Sequence, residues 1–316
     1  MKIEISDQSK TGRREFLKQA CGGAAVVAAS QLSAPVEANT SVLPTVRLGP
    51  HDVTRLIAGG NPIGGWGHSV PNMSRHMLEF FTLERTIEFL EKCSREGINT
   101  WQFDHDDKTK AALRTVRERG TKLNFICLHA EREKDAPVKT VIEEMSPIAF
   151  VHHGGVTDTL FRTGRAEKVR DYVKKVKDRG LLAGVSSHCP DNIKRVADEG
   201  WENDFFMTCF YYVSRPREEQ QKLLGKIVVD EPFFESDPDD MTKVVRQVNK
   251  PCLGFKILAA GRKCGDQGSV ENAFRYAFEK IKPTDAVIVG MYPRFEDEVR
   301  LNVAYARKYA GSAPSA

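Results

Sequence analysis

The chain has 316 residues, of which 41% are hydrophobic and 28% charged, with a formal net charge of +4 at pH 7. That balance is ordinary for a globular protein, and no basic block is interleaved with aromatics, so nucleic acid is excluded as an expected partner. Beyond the N-terminal segment, no run is apolar enough to span a bilayer.

The N-terminal segment reads as a signal. Thr11-Gly12-Arg13-Arg14-Glu15-Phe16-Leu17-Lys18 resembles the twin-arginine export signature, an apolar stretch covers residues 20–29, and Val36-Glu37-Ala38 is a small-residue cleavage site. Residues 1–38 are therefore expected to be a signal peptide recognised by the twin-arginine machinery. Residues 39–316 are expected to be one α/β domain, periplasmic or otherwise exported. That pathway moves folded proteins, often already loaded with a cofactor.

After the signal, strands alternate with helices. Residues 46–48 and 54–56 suggest a hairpin around Gly49-Pro50, and strand one covers 56–60 before a glycine-rich loop through Gly67. That loop lacks G-x-G-x-x-G spacing and a helix directly behind it, which argues against an open dinucleotide-binding sheet. Helices at 83–95, 108–119, 138–144, 166–179, 191–199, 240–248, 270–281 and 295–308 follow from apolar spacing. Gly97, Gly120, Gly180 and Gly200 stop four of them. Strands two to eight are expected at 100–104, 123–128, 148–151, 182–185, 205–211, 253–257 and 286–289. Residues 214–240, with Pro216, Pro232 and Pro238, read as an elaborated connection. Strands so separated pair in parallel with right-handed crossovers, and eight such units predict a (β/α)8 TIM barrel with a short N-terminal hairpin.

Four of these apolar runs, TWQFDH, LNFICLH, IAFVHH and LLAGVSSH, end in histidine. Of eight histidines in the chain, five (His105, His129, His152, His153 and His188) stand at those strand ends. The C-terminal strand ends of a parallel barrel are where chemistry is done, and imidazole is the usual acid-base group near pH 7 and the commonest metal ligand. The plain alternative is that each ring caps the barrel by bonding a backbone carbonyl.

Over most of its mature length the chain resembles the aldo/keto reductase superfamily. VRLGPHDVTRLIAGGNPIGG is similar to that family's hairpin and first strand, and EKCSREGINTWQFD to its second helix-strand unit. IAFVHHGG resembles its fourth strand, GVSSHCPDNI its fifth, CFYYVSRPREE its sixth, and IVGMYPRFEDEVRLNVAYA its last strand and helix. The resemblance implies Asp104 as catalytic aspartate and His152 as catalytic histidine. It implies that Ser186 and Ser187 hold a nicotinamide amide, that Tyr211 (or Tyr212) stacks on the ring, and that the last strand-helix unit frames the nucleotide. Arg262 and Arg294 follow strands seven and eight, where barrels bind phosphate, and surface charge is their default reading.

The departures are at the proton donor. The family tyrosine falls at Thr109 and its lysine at His129. Loss of the acid would remove roughly 10²- to 10⁴-fold of rate. Asp104, His129 and His152 instead suggest an open triad for a divalent ion such as Zn, Mn or Fe(II), with His188 as a fourth ligand. Such an ion would polarise a carbonyl or activate water for lyase, isomerase or hydrolase chemistry on a small carbonyl or sugar-type substrate. His153, His188 or Glu131 would move protons, and His105, His153 and Glu131 are also candidates to orient the ligands. Lys256 is a further catalytic candidate, as a substrate-oxygen ligand, a Schiff-base amine if desolvated, or a partner of Asp104. Two alternatives stay open: an NAD(P)-dependent reductase with a remodelled site and a tightly held cofactor, and a non-catalytic binding barrel.

Overall fold

Residues 43–311 of a computed structural model are described. The expected signal, with its twin arginines and cleavage site, lies outside them. In chain order the strands are β1 Thr45–Leu48, β2 His51–Thr54, β3 Leu56–Gly59, β4 Thr100–Asp104, β5 Asn124–His129, β6 Ala149–His152, β7 Leu182–Ser187, β8 Phe205–Cys209, β9 Cys252–Phe255 and β10 Ala286–Gly290. The helices are α1 Pro71–Phe80, α2 Leu83–Arg95, α3 Asp107–Glu118, α4 Val138–Met145, α5 Gly154–Arg162, α6 Glu167–Lys177, α7 Pro190–Asp198, α8 Arg217–Leu224, α9 Asp237–Gln247, α10 Gln267–Lys280 and α11 Glu298–Tyr309, with a 3-10 turn at Ala259–Gly261.

β1 and β2 pair antiparallel, and the other eight strands close in the order β10-β3-β4-β5-β6-β7-β8-β9. Every pairing in the barrel is parallel. The expected TIM barrel with an N-terminal hairpin is therefore observed.

Two apolar layers follow from the two faces of each strand. Ile57, Ile126, Val151, Phe205, Met207, Leu253 and Ile288 fill the barrel interior, and Val46, Leu48 and Val53 of the hairpin join them as a floor. Trp101, Phe103, Phe125, Cys127, Phe150, Val185 and Phe206 face outward into the helix layer. α2 shows how a helix is set against that layer. The Thr82 hydroxyl caps it by accepting from Arg85 N at 3.3 Å, Glu84 and Arg95 sit at the favourable dipole ends, and Ile87, Leu90 and Cys93 are buried. Gly97, at φ +100°, then ends it in the left-handed region.

Gly184, on the inner face of β7, makes room for its neighbours. A Cβ there would come within 2.4 Å of the Phe205 ring and 2.6 Å of Val151 Cγ2. Gly184→Ala is expected to lower stability by about 1–3 kcal/mol through overpacking, read as a shift in denaturant midpoint.

The structure differs from expectation at the hairpin, at the end of β8 and in three added helices. The second hairpin arm is His51–Thr54, not 54–56, and β8 ends at Cys209 rather than 211. Helices α1, α5 and α8 were not expected. α1 buries none of its residues and α5 opens on Gly154-Gly155, so neither shows a strong apolar stripe. The six described cysteines are free thiols, four of them buried.

Candidate active site at the barrel mouth

Register decides which strand-end side chains meet. Asp104 is opposite Leu128 across β4 and β5, whereas His129 is opposite His152 across β5 and β6. Register partners share a face, and successive residues alternate. Leu128 packs on the inner layer, so Asp104 points into the barrel. His129 and His152 share the outward parity of Phe125, Cys127 and Phe150.

Their bonds agree. His129 Nε2–H donates to Ala136 O at 2.9 Å, and its Nδ1 accepts from Tyr172 OH at 3.1 Å and from Glu131 N at 3.4 Å. His152 Nδ1 lies 2.7 Å from Thr157 Oγ1 and its ring meets Tyr172 edge-on at 5.0 Å. Both rings are buried under α5 and α6, and burial lowers the pKa of each, that of His152 to about 3.

The expected metal triad is thereby corrected. Asp104 and the two imidazoles lie on opposite faces of the sheet. Among the described residues no cluster of three or more His, Cys, Asp or Glu side chains is placed to hold a metal ion. His188, the expected fourth ligand, donates its Nδ1–H to buried Asp158 at 2.8 Å. Glu131 points to α6, where it pairs with Lys175 at 2.5 Å, and has no part in the mouth. His105 is engaged by Glu144 at 2.6 Å.

Two cations from the loop after β5 meet Asp104. Lys134 Nζ is 3.0 Å from Oδ2 and Arg132 Nη2 is 3.4 Å from Oδ1. Asp135 builds that loop: its Oδ2 accepts from Ala130 N at 3.0 Å and Arg132 N at 2.9 Å, while the carboxylate grips the Arg132 guanidinium at 2.8–2.9 Å. Sequence reading missed Arg132, Lys134 and Asp135, since an alternating acid-base run looks like a solvated turn.

The inward histidine of the doublet is His153. It extends the β6 ladder by donating its N–H to His129 O at 2.9 Å. Burial is the chief reason its pKa falls to about 4, and the charges of Arg132 and Lys134 act in the same direction against that of Asp104. Its ring Nδ1 is buried and has no hydrogen-bond partner among the described residues. The next residue, Gly154, leaves the wall bare: a Cβ there would lie 2.9 Å from Ser186 Oγ and 3.1 Å from His188 Cε1.

The remaining expected residues divide. Ser186 is buried with the inward parity of β7. Ser187 faces out, its hydroxyl donating to Asp158 at 2.5 Å. Tyr211 is buried against Phe233, with ring centroids 5.2 Å apart, so neither face is an open platform. Arg294 is exposed over the rings of Phe80 and Phe295. Thr109, at the expected tyrosine position, is buried in α3, its backbone N–H donating to the cap Asp106 at 2.7 Å. Lys256 does not pair with Asp104; its Nζ lies 2.8 Å from His68 Nε2. Trp66, 56% exposed, stands with its ring 5.7 Å from Lys134 Nζ.

The same architecture occurs in solved proteins. Glycerol dehydrogenase AKR11B4 from Gluconobacter oxydans superimposes with a TM-score of 0.51 at 12% identity, over 86% of this chain and 91% of that one. Aldo-keto reductase AKR11C1 from Bacillus halodurans, in holo form, gives a TM-score of 0.51 at 12% identity, over 87% and 93%. This chain has the aldo-keto reductase fold. A Gox0644 mutant solved with NADPH is similar at a TM-score of 0.51 and 10% identity, over 87% and 90%. No family model matches the sequence, and no curated protein does. At the mouth of this barrel Asp104 points inward from the end of β4, and of the His152–His153 pair it is His153 that has the inward parity.

Proposed function

We propose that the protein is an oxidoreductase of the aldo-keto reductase type, using NAD(P) and acting on a small carbonyl or sugar-type substrate. One observation carries the reading: the Asp104–Lys134 pair, at 3.0 Å, shares the mouth with a half-buried imidazole whose buried Nδ1 is unpartnered among the described residues. Carbonyl reduction needs a positioned donor where negative charge develops on oxygen. An ammonium held by a carboxylate and a neutral ring with one N–H meet that need without the missing tyrosine. The fold shared with Gox0644, solved with NADPH, supports the cofactor.

Ser186 is buried on the inner wall beside bare Gly154, and Arg262 and Arg294 follow β9 and β10, so these residues fit a carboxamide and phosphates. Ser187 and Tyr211 are removed from that set by their existing contacts. Bound NAD(P)H supplies the hydride. Lys134 delivers the proton to the carbonyl oxygen, and Asp104 holds the ammonium in place over the mouth. His153 donates its one N–H to the same oxygen, and Trp66 covers the entrance as an aromatic platform for a sugar face. Because residues 1–38 read as a twin-arginine signal, the nucleotide would be exported inside the folded protein.

The test is titration of the purified protein with NADPH and NADH, followed by calorimetry, then turnover of glyceraldehyde, dihydroxyacetone and a panel of sugars. Saturable binding and carbonyl-dependent nucleotide oxidation are expected. No binding of either nucleotide, with no carbonyl consumed, would overturn the reading and leave a ligand-binding barrel.

A further inference from the structure

The far side of the mouth holds a second assembly of ionisable groups. Lys256, directly after β9, reaches over the end of β10 to the loop after β3. Its Nζ is 2.8 Å from His68 Nε2, and His68 Nδ1 is 2.9 Å from Glu231 Oε2. The carboxylate at Nδ1 fixes the tautomer, because only a protonated Nδ1 can donate to it. Nε2 is then left as a lone pair facing the ammonium. An amine, a base within hydrogen-bond reach and a carboxylate that orients the base form the arrangement of an activated nucleophile.

The backbone is committed to this contact. Lys256 has φ +59° and His68 φ +49°, two of the six described non-glycine residues in the left-handed region. That conformation is unfavourable for a residue with a side chain and persists only where its surroundings impose it. Arg262 helps impose it by donating to His68 O at 3.1 Å while lying 3.8 Å above the Phe233 ring. Lys256 Nζ also sits 5.5 Å from the ring of inward-facing Phe255, which meets His188 at 5.6 Å.

We propose that Lys256 is a nucleophilic amine that binds a small aldehyde or ketone as a protonated imine, with His68 as its base and Glu231 as the positioning residue. His68 takes one proton from the ammonium, and the freed Nζ adds to the carbonyl carbon. In the adduct one N–H proton passes from nitrogen to the former carbonyl oxygen, and the carbinolamine so formed loses that hydroxyl as water, the second proton for the water coming back from His68. One N–C bond forms, the C–O bond breaks, and no electrons change hands. Burial, the largest influence on Lys256, lowers its pKa and favours the neutral amine; Cys209 and Glu231 oppose this and Arg262 adds to it. The inference shares with the proposed reductase only the carbonyl class of ligand. It needs no nucleotide, so either can fail alone.

The experiment is to incubate the intact protein with glyceraldehyde or dihydroxyacetone, trap with sodium borohydride, and map the adduct by peptide mass spectrometry over time. Lys256 is expected to label at least about tenfold faster than the surface lysines, and Lys256→Arg to abolish that fast site. His68→Asn should slow labelling by at least about tenfold at pH 7, the loss expected when a general base is removed. The gap should narrow near pH 10, where lysine deprotonates without help. Glu231→Gln should fall between, with an unchanged circular dichroism spectrum. Should Lys256→Arg not fold, the wild-type map alone decides. Labelling of Lys256 no faster than the surface lysines, or a His68→Asn rate equal to wild type, would overturn the proposal.

Discussion

Lys134→Met is expected to lower kcat/KM for carbonyl reduction by about 10²- to 10⁴-fold, the range for loss of a positioned proton donor. The argument rests on the loop after β5. Lys134 is 55% exposed along its side chain, so its removal opens no cavity in the core. Its Nζ is nevertheless held 3.0 Å from Asp104, and Asp135 fixes the turn that puts it there. Asp104→Asn should produce a loss of similar size, because the ammonium then has no anion to hold it over the mouth. Lys139→Ala, on exposed α4, is the control and should leave turnover at the wild-type level. Steady-state kinetics on the three proteins, with matched melting curves, gives the answer. A Lys134→Met enzyme within threefold of wild type would remove the ammonium from the mechanism.

The second large effect is on acid stability. His152 is buried and His153 half-buried, and desolvation lowers their pKa values from 6.5 to about 3 and about 4. A folded-state pKa below the unfolded one means that the unfolded chain binds more protons as pH falls. The stability they contribute is complete above pH 6.5 and drains as pH drops through 6.5 toward 4 and then 3. At 1.36 kcal/mol per unit, each ring's share is on the order of 3–5 kcal/mol, comparable with a large part of a domain's total. Among the described residues no carboxylate is hydrogen-bonded to either ring. His152 faces Tyr172, Thr157 and His153, with the charges of Arg132 and Asp135 nearby, and His153 faces Asp104, Arg132, Lys134 and His188. Asp158 adds to the trend lower down. Burial raises its pKa, but the bonds from His188, Ser187 and Ser214 outweigh that and hold it below 3.8, so its share is lost as pH falls through that value. Urea midpoints between pH 7 and 4.5 should therefore decline steeply, and His153→Gln should flatten part of the slope. A midpoint that stays constant over that interval would show that the two rings are solvated.

The barrel was legible in the chain because its punctuation is strong. Gly97, Gly120, Gly180 and Gly200 end helices as expected, and all have positive φ. The orientation of the strand ends was not legible, for a reason specific to parallel barrels. Both faces of each strand are covered, so Phe125 and Ile126, or Phe150 and Val151, are equally apolar, and polarity does not alternate. Nothing in IAFVHH says whether His152 or His153 turns inward; the register with β5 says it. Lys134 and Arg132 were hidden differently, because the carboxylate they serve lies on another strand and the local sequence looks like a surface turn. His68 and Glu231 are 163 residues apart, which no spacing argument joins.

The loop after β3 reaches both halves of this charged rim. Trp66 leans toward Lys134, and two positions later His68 takes the hydrogen of Lys256. One short loop therefore lines both banks of the entrance, its indole on one side and its imidazole on the other.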